Sequence, residues 1–366
     1  MALQALARID EGGFANVVLP EVLATSRLSA RDRAFATALV YGVTQMRRAL
    51  DLLVDRFVMR PLDGATRNAL RLGAHQLHHL GTPAHAAVSA TVAVAPPRSR
   101  GLVNAVLRRV AAAPVTWPDD ATRLSYPDWL LARLVEDLGE ADALAALEQM
   151  NEPAAATVRD DGYTQDLASQ WVSAAVGAGV GERVADLCAA PGGKATAIAA
   201  TGAFVLASDL DPVRTAVVGE NVDRLGSEQV AVAVADGTRP PWRPASLDRV
   251  LVDAPCSGLG VLRRRADARW RVTPADVDRL VPLQRRLLAA AATLLVPGGT
   301  LVYSVCTITR AETVGVDDWL ADTLPELEPV GHLGAGWRPH GRGDLLLPQD
   351  AGTDGMFCLR LRRPPP

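Results

Sequence analysis

Between Leu3 and Val110 apolar residues recur at three- and four-residue spacing, with almost no strand-like alternation, which is the period of helices that each bury one face. Leu39, Val43 and Met46, continued by Leu50, Leu53, Val54 and Phe57, trace one such stripe. The pattern is interrupted at Ser29, at Pro61-Leu-Asp-Gly64, at Gly81-Thr-Pro83 and at Pro96-Pro97, where capping or turn residues stand. Five or six short helices in a compact bundle follow from this. A proline-containing connector, Pro114 to Pro127, then leads to one amphipathic helix predicted from Trp129 to Met150, with a boundary near Asn151.

Beyond Trp171 the rhythm changes. Short β-prone runs, Arg183 to Leu187, Ala203 to Ser208, Val230 to Ala235, Asp248 to Asp253 and Thr300 to Ser304, alternate with helical stretches. Alternation of this kind predicts an α/β, Rossmann-like domain, a mostly parallel open sheet covered by helices, with ligands outside the carboxyl ends of the strands. The tail, Leu345 to Leu361, reads as an antiparallel final hairpin around Gly352-Thr-Asp-Gly355 that closes the sheet edge. The predicted organisation is an all-α domain over 1–112, a linker helix and connector over 113–170, and the α/β domain over 171–366.

A length of 366 residues suits two domains, and 49% hydrophobic against 22% charged residues excludes wholesale disorder. The longest apolar runs, such as Ala289 to Val296, fall short of the ~20 residues a bilayer helix needs, and no leader pattern opens the chain, so a cytoplasmic protein away from membranes is expected. Cys188, Cys256, Cys306 and Cys358 are spaced too widely for a zinc knuckle and too sparsely for a disulfide framework; reduced thiols are expected. His75, His78, His79 and His85 lie in the helical part with no cysteine or acid to complete a site, so no metal is expected.

Charge alters the picture more than composition does. Residues 1–112 hold fourteen arginines against seven acids, whereas the rest of the chain is acidic. A basic helical module is either a phosphate-binding surface or a solvated arginine face, and charge alone does not decide between them. The chain favours arginine so strongly that Lys194 is its single lysine, a position that calls for an ammonium rather than a guanidinium.

That lysine ends Asp186-Leu-Cys-Ala-Ala-Pro-Gly-Gly-Lys194, a loop between the first strand and a helix. Its glycines let backbone approach a ligand, and the helix start offers unpaired N–H groups to an anion. A P-loop would need glycine at 188 and Ser or Thr at 195, where Cys188 and Ala195 stand, and no G-x-G-x-x-G is present. The loop instead suits a single carboxylate with Lys194 as counter-charge, which makes Cys188, Ala189, Ala190, Pro191, Gly192, Gly193 and Lys194 candidate ligand contacts. Asp209, Asp236 and Asp253 end three successive strands; Asp209 is placed for a ribose diol and Asp236 for an adenine amino group. A turn or cap is the ordinary role of one aspartate, and three at strand ends weaken that reading. A nucleoside bearing a carboxylate and an ammonium describes S-adenosylmethionine.

Asp253-Ala-Pro-Cys-Ser-Gly258 and Tyr303-Ser-Val-Cys-Thr307 put two thiols beyond neighbouring strands. Buried small residues are the common fate of cysteine. Yet methyl transfer to carbon 5 of a pyrimidine needs a thiolate at carbon 6, a group that removes the carbon 5 proton and an acid at N3, and Cys306, Cys256 and Asp253 can supply these parts. The basic strip Arg263, Arg264, Arg265, Arg269 and Arg271, with Trp270 among them, follows directly and is a candidate RNA contact; an arginine loop with Trp270 packed on the core is the plainer alternative.

The segments Asp186 to Lys194, Asp253-Ala-Pro-Cys-Ser-Gly-Leu-Gly260 and Tyr303-Ser-Val-Cys306 resemble the motifs of the RNA cytosine-5 methyltransferases of the Sun/NOL1/NOP2 family. Ala84-His-Ala-Ala-Val88 and Gly101-Leu-Val-Asn-Ala-Val-Leu-Arg-Arg109 resemble the NusB-like helical RNA-binding domain that members of this family carry at the N-terminus. The resemblance implies an S-adenosylmethionine-dependent enzyme, monomeric, acting on 16S ribosomal RNA. It implies Cys306 as nucleophile, Cys256 as the thiol of product release, Asp253 at the base and the methionyl ligand, and residues 188–194, Asp209 and Asp236 at the cofactor. Enzymes that methylate cytosine in DNA use the Pro-Cys thiol instead, which would make Cys256 the attacker. Val305 and Thr307 depart mildly from the family pattern. Only residues 154–164 separate Asn151-Glu-Pro153 from Gln165-Asp-Leu-Ala-Ser-Gln170, where the family has a β-rich RNA-binding subdomain. A non-catalytic RNA-binding or ribosome assembly factor, and a transfer RNA methyltransferase, are the rival readings.

Overall fold

Ser29 accepts the Asp32 N–H and Asp63 accepts the Thr66 N–H, so two of the predicted interruptions are helix N-caps. In the computed structural model, which describes residues 1–365, the helices of the N-terminal region are α1 (Ala2–Asp10), α2 (Ala15–Ala24), α3 (Ala30–Gln45), α4 (Arg47–Asp55), α5 (Gly64–His78), α6 (Ala84–Val94) and α7 (Arg100–Ala112). Seven α-helices among the described residues up to 112 exceed the five or six predicted. The extra breaks fall at Gly12–Gly13 and at Met46. At Met46 the apolar stripe runs on while the backbone leaves helical geometry, and the Arg48 and Ala49 N–H groups donate to Ser125 Oγ at 3.0 and 3.4 Å. A cap supplied from a distant residue leaves no local signal in the sequence.

Two compact units result: Met1–Val135 with Leu262–Arg271, and Glu136–Val261 with the chain from Val272 onward. In the first, Leu50, Leu53, Leu70 and Leu107 are fully buried in one core. Helices α3 and α5 approach so closely that a Cβ on Gly42 would lie 2.1 Å from His75 Nε2. Beyond α8 (Asp120–Leu124), the helix predicted from Trp129 to Met150 is two helices, α9 (Asp128–Leu138) and α10 (Glu140–Gln149), parted by Gly139 at φ 83°. A β-carbon is disfavoured at that angle, and the acids Glu140 and Asp142 begin a new first turn.

Residues 262–271 correct the expectation of a solvent-facing basic strip. Arg269 is fully buried, its guanidinium 4.0 Å over the Tyr126 ring and within reach of the Ser125 carbonyl. Trp270 Nε1 donates to the Thr44 carbonyl at 2.7 Å, and Arg271 pairs with Asp267 and donates to the Gly12 and Gly13 carbonyls. Arg263 is buried as well. A planar guanidinium with five donors suits this work of covering an aromatic ring and binding helix-end carbonyls. Arg265 is exposed and Arg264 half-buried.

In the second unit, α11 (Leu167–Ala175) precedes β1 (Arg183–Asp186), α12 (Gly193–Ala199), β2 (Phe204–Asp209), α13 (Pro212–Leu225), β3 (Val230–Val234), β4 (Leu247–Asp253), α14 (Pro274–Leu294), β5 (Leu295–Val305) and α15 (Val314–Thr323). After these come β6 (Glu328–Pro329), β7 (Arg338–His340), β8 (Gly343–Leu346), α16 (Pro348–Ala351) and β9 (Met356–Arg362). Strands run in the order β3-β2-β1-β4-β5-β9-β8-β7, with β6 on β9. Neighbours are parallel from β3 through to β5, and β9 is antiparallel to β5 and to β8. The fold is thus a Rossmann-like sheet with an antiparallel end. The predicted hairpin of β8 and β9 is present, but β9 lies inside the sheet and β7, absent from the sequence reading, forms the edge. Residues 154–164 carry one antiparallel bridge, Val158 to Thr164, and no larger β-structure.

Candidate active site

The ends of β1, β2, β4 and β5 bring Asp186, Asp209, Asp253 and Cys306 to one side of the sheet, because all four strands run the same way. Backbone joins the last two: the Ala254 N–H donates to the Ser304 carbonyl at 2.9 Å and the Gly260 N–H to the Cys306 carbonyl at 3.0 Å. Gly260 is obligatory, since a Cβ there would stand 2.1 Å from the Gly355 carbonyl oxygen. These ties bring Cys256 Sγ to 3.3 Å from Cys306 Sγ, and both residues remain partly exposed. Cys358 is buried within β9, where burial pushes its thiol up to about 12, and Cys188 is likewise pushed up by burial.

Lys194 Nζ lies 2.6 Å from Asp253 Oδ2, so the single ammonium is committed to a protein carboxylate, where the sequence set it against a ligand's. Burial, the largest single influence, opposes the charged lysine, but Asp253, Cys306 and Asp186 together outweigh it and Lys194 is raised above its ordinary value. The hydrogen bond to Cys306 and burial, followed by the charges of Cys306 and Glu312, push the Cys256 thiol well above its usual range. Lys194 also interacts with Cys306.

Asp186 is fully buried at the end of β1; its Oδ1 accepts the Cys188 N–H at 3.3 Å and its Oδ2 has no partner. Burial, reinforced by the Asp253 carboxylate, pushes it up to about 7. Asp209 is buried, with Oδ1 accepting the Asp211 N–H and Oδ2 3.4 Å from Arg214. Asp236 is exposed two residues past β3 and its Oδ1 accepts from both Thr238 N and Thr238 Oγ1, an aspartate turn. Its carboxyl is held below the usual range by those bonds.

The glycine loop is covered from a side the sequence did not indicate. A Cβ on Gly193 would lie 2.7 Å from the Tyr163 ring, and Gly192 sits at φ 102°. Arg159 lies 4.9 Å over that ring and donates to the Gly193 carbonyl and to Thr196 Oγ1. Tyr163 and Arg159 belong to the short 154–164 segment, and no spacing rule pointed to them. Glu312, buried six residues after Cys306, was missed for the same reason.

A nucleoside ligand with an ammonium and a sulfonium fits these acceptors: an unpartnered buried carboxylate oxygen on Asp186 and a buried acid, Asp209, at the end of β2. Residues 177–362 match the 16S rRNA methyltransferase RsmB/F family, and residues 1–112 match the NusB family. The chain belongs to the RsmB/F family. It is 37% identical to ribosomal RNA small subunit methyltransferase B of Thermus thermophilus, covering 99% of this chain and 97% of that one, and 31% identical to the protein of the same name from Klebsiella pneumoniae, covering 99% and 97%. The Thermus match extends over 403 positions, more than the 366 residues present here. The solved protein PH0851 shares the fold over 98% of this chain and 97% of its own, with a TM-score of 0.78 at 21% identity. NSun6 of Pyrococcus horikoshii, solved with SFG, aligns over 55% of this chain and 53% of its own with a TM-score of 0.50 at 28% identity. As a member of the RsmB/F family this chain is an S-adenosylmethionine-dependent RNA methyltransferase with a NusB-type helical domain.

Proposed function

We propose that the protein methylates carbon 5 of a cytosine in 16S ribosomal RNA through a covalent adduct to Cys306. The observation that carries this reading is the pair of sulfurs 3.3 Å apart beyond β4 and β5, on the same strand ends as the Lys194–Asp253 pair, with Cys256 pushed toward its protonated form. One thiolate and one thiol is the division of labour that addition and release require. When bound, S-adenosylmethionine supplies a methyl group on a sulfonium.

Cys306 Sγ forms a bond to carbon 6 while the C5–C6 π pair moves toward carbon 5 and negative charge passes to N3, where an N–H of Lys194, oriented by Asp253, is the donor that meets it. Carbon 5 would then take the methyl group from the sulfonium, the S–CH3 bond breaking with its electron pair left on sulfur as a neutral thioether. Once Cys306 is a thioether, two causes of the raised Cys256 value, its hydrogen bond and its charge, are gone. Cys256 can then lose its own proton to water and accept the one on carbon 5; the C–H pair restores the double bond as the Sγ–C6 bond breaks and Cys306 leaves as thiolate. Asp186, Asp209, Asp236 and residues 188–194 are the proposed cofactor contacts. Arg264 and Arg265 are the members of the basic strip left with exposure for RNA phosphates.

Nucleoside analysis of 16S ribosomal RNA incubated with the protein and labelled S-adenosylmethionine tests the reading. Label is expected in 5-methylcytidine, Cys306→Ala is expected to abolish it, and Cys256→Ala is expected to leave a stable protein–RNA adduct. Label at another base or position, or full turnover by Cys306→Ala, contradicts the proposal.

A further inference from the structure

Next to the two thiol loops lies a buried acid that makes no ion pair among the described residues. The Glu312 side chain is fully buried. Its Oε1 accepts the Ser257 N–H at 2.8 Å and Gln284 Nε2 at 3.0 Å, and its Oε2 accepts the Ser257 hydroxyl at 2.5 Å and the Thr309 hydroxyl at 3.1 Å. Ser257 follows Cys256 directly. Its hydroxyl also lies 2.9 Å from Thr307 Oγ1, and Thr307 follows Cys306 directly. One carboxylate therefore binds the residue next to each reactive sulfur, either directly or through a single hydroxyl. Gln284 extends the link, donating to the Pro255 carbonyl at 3.0 Å, on the other side of Cys256.

We propose that Glu312 is a positioning residue for methyl transfer, its carboxylate locking the Cys256 loop to the Cys306 loop so that the two sulfurs hold their separation through addition and release. The inference rests on the covalent reading above and extends it to a side chain that touches neither RNA nor cofactor. A carboxylate is four-fold acceptor only, so it can satisfy four donors that converge from two loops and a helix; a buried acid in such a place is costly unless every contact is made. Its charge also contributes to the raised Cys256 thiol. Displacement of reacting atoms by about 1 Å can lower a rate by roughly 100-fold. Loss of the lock is therefore expected to act on the chemical step and not on binding.

The test uses RNA substrate carrying 5-fluorocytidine, whose carbon 5 has no proton to lose, so that the adduct persists after methyl transfer and its rate of formation can be read directly. Glu312→Ala is expected to slow adduct formation by about 100-fold with the KM for RNA and the Kd for S-adenosylmethionine unchanged. Glu312→Gln is expected to restore the rate to within about threefold, because its amide keeps two acceptor contacts while the Ser257 and Thr309 hydroxyls turn to accept from it. If Glu312→Ala does not fold, Thr309→Val, which removes one contact, is expected to slow the step by about tenfold. A folded Glu312→Ala, or in its place Thr309→Val, that forms adduct at the wild-type rate, or a loss confined to KM, overturns the inference. Failure of the wild-type protein to form any adduct would instead overturn the covalent reading itself.

Discussion

Asp186 shows how one buried side chain couples ligand affinity to pH. Its carboxyl, pushed up to about 7 by burial and by Asp253, is protonated below neutrality in the free protein, while a bound ammonium or sulfonium favours the carboxylate. Binding below pH 7 must then release a proton. Affinity for S-adenosylmethionine is expected to strengthen by up to about tenfold per pH unit between pH 5.5 and 7 and to level off above, and Asp186→Asn is expected to remove that slope. Calorimetry across this range checks it; a flat profile in the wild-type protein contradicts the placement of a cation at Asp186. The residue itself was visible in the sequence as the start of the glycine segment. Its unpartnered oxygen was not, because that depends on what β2 and β4 bring alongside.

At the scale of elements, the segment 262–271 separates a binding strip from a packing one. Arg269 covers Tyr126 and is buried, whereas Arg265 is exposed. Truncating a desolvated cation–π contact and leaving a cavity typically removes about 2–4 kcal/mol. Arg269→Ala is therefore expected to lower thermal stability strongly, and Arg265→Ala to leave it within about 0.5 kcal/mol while weakening RNA binding and its dependence on salt. Equal thermal stability of the two variants would contradict the assignment. The sequence showed five arginines in a row of nine residues but gave no sign of which would meet an aromatic ring more than a hundred residues away. The strands were legible to within a residue or two at most ends, since β-branched runs and turn residues are local signals. The helix break at Met46 was not, because its cap comes from Ser125. Nor was β7, whose Arg338–His340 has no alternation to detect.

At the scale of the whole molecule, two buried groups of opposite kind respond to acid. His75 lies against Gly42 and stacks on His79 at 5.2 Å, and burial lowers it to about 3. At pH 7 it is neutral in the fold and mostly neutral in the unfolded chain, so its contribution there is small. Below about 6.5 the unfolded chain takes up a proton that the folded one refuses, so stability is lost as pH falls, by up to about 1.4 kcal/mol per unit. Asp186, raised in the fold, acts in the opposite sense over much of the same range, and the net slope of the wild-type protein is therefore not diagnostic. The difference between proteins is. The thermal midpoint of His75→Gln minus that of the wild type is expected to move in the variant's favour between pH 7 and pH 5, because Asp186 acts equally in both. A difference independent of pH would contradict the buried neutral imidazole. The division into a helical and an α/β part, and the family to which the chain belongs, were legible from periodicity and three short motifs. The allotment of 262–271 to the helical unit was not, since it is set by long-range packing.

The central claim is that the sulfur of residue 306 attacks the base. Digestion of the adduct formed with 5-fluorocytidine RNA and S-adenosylmethionine, followed by mass spectrometry of the RNA-bearing peptide, reads this directly. The modified nucleotide is expected on Cys306, with an added methyl group on the pyrimidine. A nucleotide attached to Cys256, or no attachment to either cysteine while 5-methylcytidine is still produced from ordinary RNA, would contradict the account.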